Sequence, residues 1–422
     1  MRENSPANLA DWLTYLETLH PKTIELGLER VDAVKTALQL TPSFPVILVG
    51  GTNGKGSACA YLEAMLTAAG YRVGLYTSPH LLHYNERVRI DNREVDDAAL
   101  CTAFSAVETA RGTVSLSYFE FGTLAAMWLL ARAGVDVAVL EVGLGGRLDA
   151  VNVFDPQCSI VTSVDIDHTD YLGDTREKIG FEKAGIFRAG RPAICGDDQP
   201  PQSLLQHAAD IGADLRVIGV AFSAVPEASG WHYSGHREYR DLPNPAMTGR
   251  YQFNNAACAI AALETLGEPL PVTEAAIRQG LQTACAVGRF QLLPGQPEVI
   301  LDVAHNPHAA AALAANLKAR PSQGKTLVLM AMLADKDING VVQAMHTEVD
   351  EWLLASLDVP RGATAQVLHE MLRKVGVSAP VTCSDNVEEG WRLACERARE
   401  NDRICVFGSF YTVAQVLHLT GR

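Results

Sequence analysis

Short runs of β-branched and aliphatic residues alternate along this chain with longer segments rich in alanine and leucine. Val46–Val49, Val73–Tyr76, Val135–Val142, Ser159–Val164 and Pro192–Cys195 read as strands, and Ala58–Ala69 reads as a helix following the first of them. That alternation predicts an α/β architecture, a parallel sheet wrapped by helices, in which ligands collect beyond the carboxyl ends of the strands. Between Ile218 and Gly249 the pattern weakens into a turn-rich aromatic stretch with Trp231, Tyr233 and Tyr239, which predicts a small antiparallel excursion. Helices are predicted over Asn254–Leu266 and Val272–Ala284. Val287 to Pro297, with two prolines and two glycines, reads as an interdomain linker. The rhythm then restarts with strands at Val299–Val303, Thr326–Met330, Trp352–Ala355, Pro380–Cys383 and Ile404–Phe407 and helices at Pro307–Ala319, Ile338–Thr347, Ala363–Val375, Val387–Glu400 and Tyr411–Leu419. The predicted organisation is a first domain over 1–286, a linker over 287–297 and a smaller α/β domain over 298–422.

Composition narrows the function classes. A chain of 422 residues with 48% hydrophobic and 20% charged residues is ordinary for two packed domains. Its formal net charge of -14 argues against a nucleic-acid partner, whose phosphates need clustered Lys and Arg. The nine cysteines are scattered without a CxxC, so neither a zinc knuckle nor a disulfide framework is suggested, and a reducing cytoplasm is the expected location. No membrane association is expected: the apolar stretch Phe121–Val142 carries Arg132 and Asp136, short of the ~20 apolar residues a spanning helix requires. The charges at Arg2, Glu3 and Asp11 argue against a secretory signal.

The densest chemistry lies in Gly50-Gly51-Thr52-Asn53-Gly54-Lys55-Gly56-Ser57, directly after a predicted buried strand. Glycines free the backbone N–H groups to wrap an anion, a helix N-terminus faces it, and Lys55 supplies a mobile positive charge, so the loop predicts binding of ATP or a relative. Gly56 intervenes between the lysine and Ser57, which leaves open which hydroxyl reaches a metal; the bland alternative is a glycine turn closing a strand–helix corner. Ser78, Glu141, Asp165 and His168 all fall at predicted strand ends. Glu141 is placed to meet nucleotide-bound Mg²⁺, or else to pair with Arg147. His168 belongs either to such a site or to a helix-start cluster of aspartates. Asp302 and His305, at a second strand-to-helix mouth that ends in Asn306-Pro307, are equally caps or functional groups. Arg289 is either a linker ion pair or a group that stabilises transferring phosphate.

In order along the chain, Gly51–Ser57, Thr77-Ser78-Pro79-His80, Glu141–Asp149, Asp167-His168, Glu182–Ile186, Gly288-Arg289 and Asp302–Pro307 resemble the signature set of the folylpolyglutamate synthases, ATP-dependent amide ligases of the Mur ligase superfamily. The resemblance covers nearly the whole chain. Only about fifty residues precede the loop, which favours the folate branch over Mur ligases with an additional leading domain. Lys22–Arg30 and Tyr118–Thr123 look like the bifunctional bacterial form, which also makes dihydrofolate from dihydropteroate.

The resemblance implies a fold, a reaction and a set of roles. The fold is an N-terminal P-loop domain and a smaller Rossmann-like C-terminal domain that closes over ATP and binds glutamate. The reaction phosphorylates a pteroate or folate carboxylate and lets the amino group of L-glutamate attack the acyl phosphate, with dihydropteroate and tetrahydrofolates as acceptors. Asn53, Gly54, Lys55, Gly56, Ser57, Asn255, Arg289, Asp302 and His305 would hold the nucleotide. Ser78 and Glu141, with Ser57, would hold one Mg²⁺, and His168 with a carbamylated Lys183 a second; Lys55, Lys183, His168 and Arg289 would be the catalytic set. The bland reading of Lys183 is a surface lysine paired with Glu182 or Glu177. The pterin would lie against Thr23, Ile24, Glu25 and Leu26, Phe119, Glu120, Phe121 and Gly122, and Leu148, Asp149 and Ala150, although residues of this kind also pack core helices. A monomer and a candidate monovalent cation complete the set. The rivals are a Mur-type ligase acting on a cell-wall precursor and a regulatory protein that binds nucleotide without chemistry.

Overall fold

The computed structural model describes residues 6–22 and 24–421. Two compact units account for them: the described residues up to 246 with 253–285, and 247–252 with the described residues from 286 on.

The first unit begins with α1 (Leu9–Leu19) and α2 (Glu29–Ala37), then β1 (Val46–Gly50), α3 (Lys55–Ala68), β2 (Val73–Tyr76), β3 (Val88–Ile90) and β4 (Arg93–Glu94). It continues through α4 (Asp97–Arg111), α5 (Tyr118–Ala133), β5 (Val137–Glu141), β6 (Cys158–Val161), α6 (Thr169–Leu172), α7 (Arg176–Ala184), β7 (Pro192–Cys195), α8 (Gln202–Ile211) and β8 (Asp214–Val217). These strands form one eight-stranded sheet in the order β4-β3-β2-β5-β1-β6-β7-β8. From β2 to β8 every pairing is parallel, while β3 and β4 add an antiparallel edge. Val46 to Val49 are buried on both faces, which is why β1 reads as an uninterrupted apolar run rather than an alternating one. The predicted antiparallel excursion is a separate three-stranded sheet of β9 (Ser223–Glu227), β10 (Gly230–Ser234) and β11 (Glu238–Leu242).

Next come α9 (Arg250–Leu266) and α10 (Glu274–Thr283). Gly280 is what lets α10 lie against α3: a Cβ there would stand 2.7 Å from both the backbone N and the Cα of Met65. Helix α3 starts at Lys55, three residues before the predicted start, because Gly54 takes a left-handed φ of 89° at the N-cap and turns the chain straight into the helix.

The second unit holds β12 (Gln291–Leu293), β13 (Glu298–Leu301), α11 (Pro307–Ala319), β14 (Thr326–Met330), α12 (Ile338–Met345), β15 (Glu351–Ala355), α13 (Ala365–Val375), β16 (Val381–Ser384), α14 (Val387–Arg397), β17 (Arg403–Phe407) and α15 (Phe410–Leu419). Its six-stranded sheet runs β12-β13-β17-β14-β15-β16, parallel except for β12. The 287–297 segment, which reads as a linker, therefore contains an edge strand, Gln291–Leu293, bonded to β13. Its prolines and glycines flank that short strand rather than open a flexible connection.

Candidate functional site

The phosphate-type loop is braced from the neighbouring strand exit. Thr52 N donates to Ser163 O (2.8 Å), Asn53 N to Ser163 Oγ (3.1 Å), Thr162 Oγ1 to Asn53 O (2.7 Å) and Asp165 N to Thr52 Oγ1 (2.9 Å). Gly51 has φ 143°, and a Cβ there would stand 2.0 Å from Thr162 Oγ1, so only glycine fits at the point of closest approach. Lys55 folds back over the loop, its Nζ donating to Gly51 O (3.1 Å) and Thr52 O (3.2 Å). Asn255, buried on α9, stands against the same loop: a Cβ on Gly54 would be 2.5 Å from Asn255 Oδ1. Ser57 is buried in the first turn of α3. Asn53, Gly54, Lys55, Gly56, Ser57 and Asn255 are thus gathered at one end of the first sheet.

β5 lies beside β1, with Glu141 paired in register with Val49. Glu141 is 4% exposed, and its Oε2 accepts from Ser78 N at 3.0 Å. The alternative partner, Arg147, is engaged by Glu182 (2.8 Å). A buried carboxylate on the strand next to β1 is a hard oxygen donor, the chemistry Mg²⁺ takes, and Ser78, tied to it through its backbone N–H, carries a second such oxygen. Among the described residues no group of three or more His, Cys, Asp or Glu assembles for a metal.

Lys183 is the least ordinary group in this unit. It is 3% exposed in the last turn of α7, not at the surface, and Glu177 and Glu182 are committed elsewhere, Glu177 to the N–H groups of Gln202 and Ser203 and Glu182 to Arg147. Burial first, and then the positive charge of Lys55, pull its amine down to about 7, against the opposing charges of Asp167 and Asp149. An unprotonated amine is what carbamylation needs. His168 has a left-handed φ of 52° at the N-cap of α6 and makes no side-chain cap bond, while Asp167 accepts from His168 N (2.8 Å) and lies 4.0 Å from its Nε2, so the aspartate-cluster alternative stands beside the metal reading.

The acceptor-side residues divide. Glu25 and Glu120 are drawn together by Arg30, and Gly27 N donates to Leu148 O (3.3 Å), which brings Ile24, Glu25 and Leu26 toward the 148–150 loop. Asp149 is buried and accepts from Leu144 N (2.8 Å) and Val151 N (3.1 Å); burial raises its carboxyl to about 7 in spite of those bonds. Ala150 is buried beside it. Phe119 faces the same loop, since a Cβ on Gly143 would meet its ring at 2.6 Å. Phe121 packs instead in the core against Trp12 and Phe104, and Gly122 lies under Tyr84, where a Cβ would be 2.5 Å from the hydroxyl oxygen. Those two serve packing. Thr23 lies outside the described residues.

In the second unit Asp302 follows β13 directly. Its carboxylate accepts from Phe290 N (2.9 Å) and Ala304 N (2.8 Å), and burial raises it above the ordinary range. His305 Nδ1 is 2.9 Å from Val303 O. The Arg289 guanidinium lies over the Phe410 ring at 5.2 Å, and the His305 ring is 6.2 Å from the same phenylalanine. Asn306, not Asp302, caps α11. Arg289 and His305 therefore flank Phe410, and Asp302 lies within the field of both.

Asp165 reads as a strand-end residue and Thr52 and Arg30 only as parts of longer motifs, while the bracing hydroxyls of Thr162 and Ser163, and Arg30 as a residue of the site, are missed. A hydroxyl run at a strand exit is the only signal the former carry, and the latter reads as one charge of a surface helix.

Residues 49–263 match the Mur ligase middle domain and residues 288–410 the Mur ligase glutamate ligase domain. The chain is 47% identical over 413 residues to the dihydrofolate synthase/folylpolyglutamate synthase of Escherichia coli strain K12, covering 97% of this chain and 95% of that one. The chain belongs to the dihydrofolate synthase/folylpolyglutamate synthase family. Members of that family with solved structures include Escherichia coli FolC in complex with DHPP and ADP, at 46% identity and TM-score 0.94, covering 99% of this chain and 98% of that one. Another is a bifunctional folylpolyglutamate synthase/dihydrofolate synthase with Mn, AMPPNP and L-glutamate bound, at 48% identity and TM-score 0.91, with 99% of each chain covered. Synthases of this family are named for folate synthesis, which goes against the cell-wall and purely regulatory alternatives. No helix among the described residues is long and apolar enough to cross a membrane.

Proposed function

We propose that this family member is an ATP-dependent ligase that joins L-glutamate to dihydropteroate, giving dihydrofolate, and to the γ-carboxylate of reduced folates, giving folylpolyglutamates. The observation that carries this is the 47% identity along 97% of the chain to a synthase named for both activities. The reaction moves the γ-phosphoryl group of ATP onto an oxygen of the acceptor carboxylate. The glutamate amine then attacks the acyl carbon, loses a proton and expels phosphate.

Lys55 and the loop amides of Gly54 and Gly56 hold the β- and γ-phosphates, with Asn53 assigned to the same nucleotide and Lys55 leaving its two carbonyl partners to follow developing charge. Ser57, Ser78 and Glu141 suit one divalent cation, Mg²⁺ in this reading, and His168 with Lys183 a second. Such cations supply charge neutralisation at the transferring phosphate. With an amine near 7, Lys183 is partly unprotonated at neutral pH and is able to bond CO₂, lose a proton and present an anionic carbamate oxygen. Asn255, Arg289, Asp302 and His305 are assigned to the nucleotide as well. The acceptor is assigned to Ile24–Leu26, Phe119 and Leu148–Ala150, where Asp149, half-ionised near neutrality, can accept from a pterin N–H. Nine unpaired cysteines suit a reducing cytoplasm.

The test is phosphate release from ATP with L-glutamate and, separately, dihydropteroate, tetrahydrofolate or no acceptor. Release with both pterins, with a mass gain of one glutamyl unit, is expected. Release with one pterin only reduces the enzyme to a single activity, and none with either sinks the reading.

A further inference from the structure

Outside the phosphate loop, a closed set of charged side chains ties the segment between α1 and α2 to the start of α5. Arg30 is the hub. Its Nη2 donates to Glu120 Oε1 (2.9 Å) and to the backbone oxygen of Glu25 (3.0 Å), and its Nη1 is 3.6 Å from Glu25 Oε1. Glu120 has a side chain 4% exposed and already closes the capping box of α5, accepting from Ser117 N at 2.7 Å. From the other side, His20 Nε2 stands 2.5 Å from Glu25 Oε2, and its Nδ1 2.8 Å from Ser115 Oγ, two residues before that cap. Ile24–Gly27 is in neither helix nor strand, so side-chain contacts replace the ladder bonds that would otherwise hold its backbone.

We propose that Arg30 is a positioning residue for the acceptor, fixing Glu25 and its neighbours against α5 so that they form a preformed wall beside the Leu148–Ala150 loop. The proposal rests on the reading above that this region receives the pterin acceptor. One planar guanidinium satisfies two carboxylates and a carbonyl on two separate parts of the chain, which a single ammonium cannot reproduce. The wall meets the 148–150 loop through Gly27 N and Leu148 O, so a displaced segment disturbs the pterin side directly. The nucleotide loop is braced independently, by Thr162, Ser163 and Asp165. The prediction is therefore selective: loss of Arg30 affects one substrate and spares another.

Steady-state kinetics of Arg30→Met and Arg30→Lys test this. Arg30→Met is expected to raise KM for dihydropteroate and tetrahydrofolate about tenfold while KM for ATP stays within about twofold, with Arg30→Lys recovering only part of the loss. Amide exchange should quicken in residues 20–28 of Arg30→Met and not in α3. If Arg30→Met does not fold, Arg30→Lys carries both readouts. Pterin and ATP KM values rising together, or an unshifted pterin KM, overturns the positioning role. Wild-type protein that releases no phosphate with any pterin overturns the folate reading instead, and this proposal with it.

Discussion

β1 empties into α3 through Gly51–Gly54, and β13 into α11 through Asp302–Asn306, so the two units present the same construction at the carboxyl ends of their parallel sheets. They differ in how that construction is satisfied. The second mouth draws bonds from its own residues: Asp302 takes the N–H groups of Phe290 and Ala304, His305 Nδ1 lies against Val303 O and Asn306 caps its own helix. The first is held from outside, by the exit of β6, and it buries Lys183 within the field of Lys55. Polar groups at the second mouth are paid for locally, whereas the first keeps like charges together at a cost that anionic ligands relieve.

The largest effect should come from removing charge at the first mouth. Lys55→Ala or Glu141→Ala is expected to lower kcat by about 10²–10³, measured by phosphate release. Near-normal turnover in both would erase the contrast. Lys183→Met should likewise remove activity but stabilise the metal-free protein by roughly 1–3 kcal/mol at pH 7, because a buried amine is replaced by an apolar side chain. The sign with pH follows. Below about 7 the native amine must be charged in a buried site, and between about 7 and 10.5 the unfolded chain binds the extra proton, so wild-type stability rises with pH across that window. The gain from Lys183→Met should shrink as pH climbs from 7 to 10, and a gain that is constant with pH would mean the amine is not depressed.

At the second mouth the balance should reverse. Asp302→Ala leaves the N–H groups of Phe290 and Ala304 without their carboxylate and should cost about 1–3 kcal/mol, read by denaturant unfolding. No loss of stability there would undo the distinction between the two ends. The smallest effect belongs to Phe410→Leu, which removes the ring beneath Arg289 and should cost about 0.5–1 kcal/mol while weakening ATP binding more than glutamate binding.

The central strands were legible because burial on both faces leaves them almost wholly apolar, as in Val46–Val49 and Thr326–Met330. The edge strand β16 was read as well, at Pro380–Cys383, but the edges of the first sheet were not. β3 and β4 carry Arg89, Arg93 and Glu94, and β8 carries Asp214 and Arg216, so their sequences look like loops. The phosphate loop declared itself through its glycines and lysine, but the burial of Lys183 did not: Glu177, Lys178 and Glu182 surround it in sequence and make α7 look like a solvated helix. Only the resemblance drew attention to it. Phe121 shows the converse limit, since an aromatic beside a ligand and one in the core have the same letter; its contacts with Trp12 and Phe104 decide the matter.

The approach of Gly280 to Met65 sets a mechanical limit on the machine. A helix seated backbone to backbone on its neighbour can neither roll nor slide by a fraction of a turn, and α3 is the helix whose first residue is Lys55. The register of the helix that carries the phosphate loop is thus set by a glycine far along the chain from the loop itself.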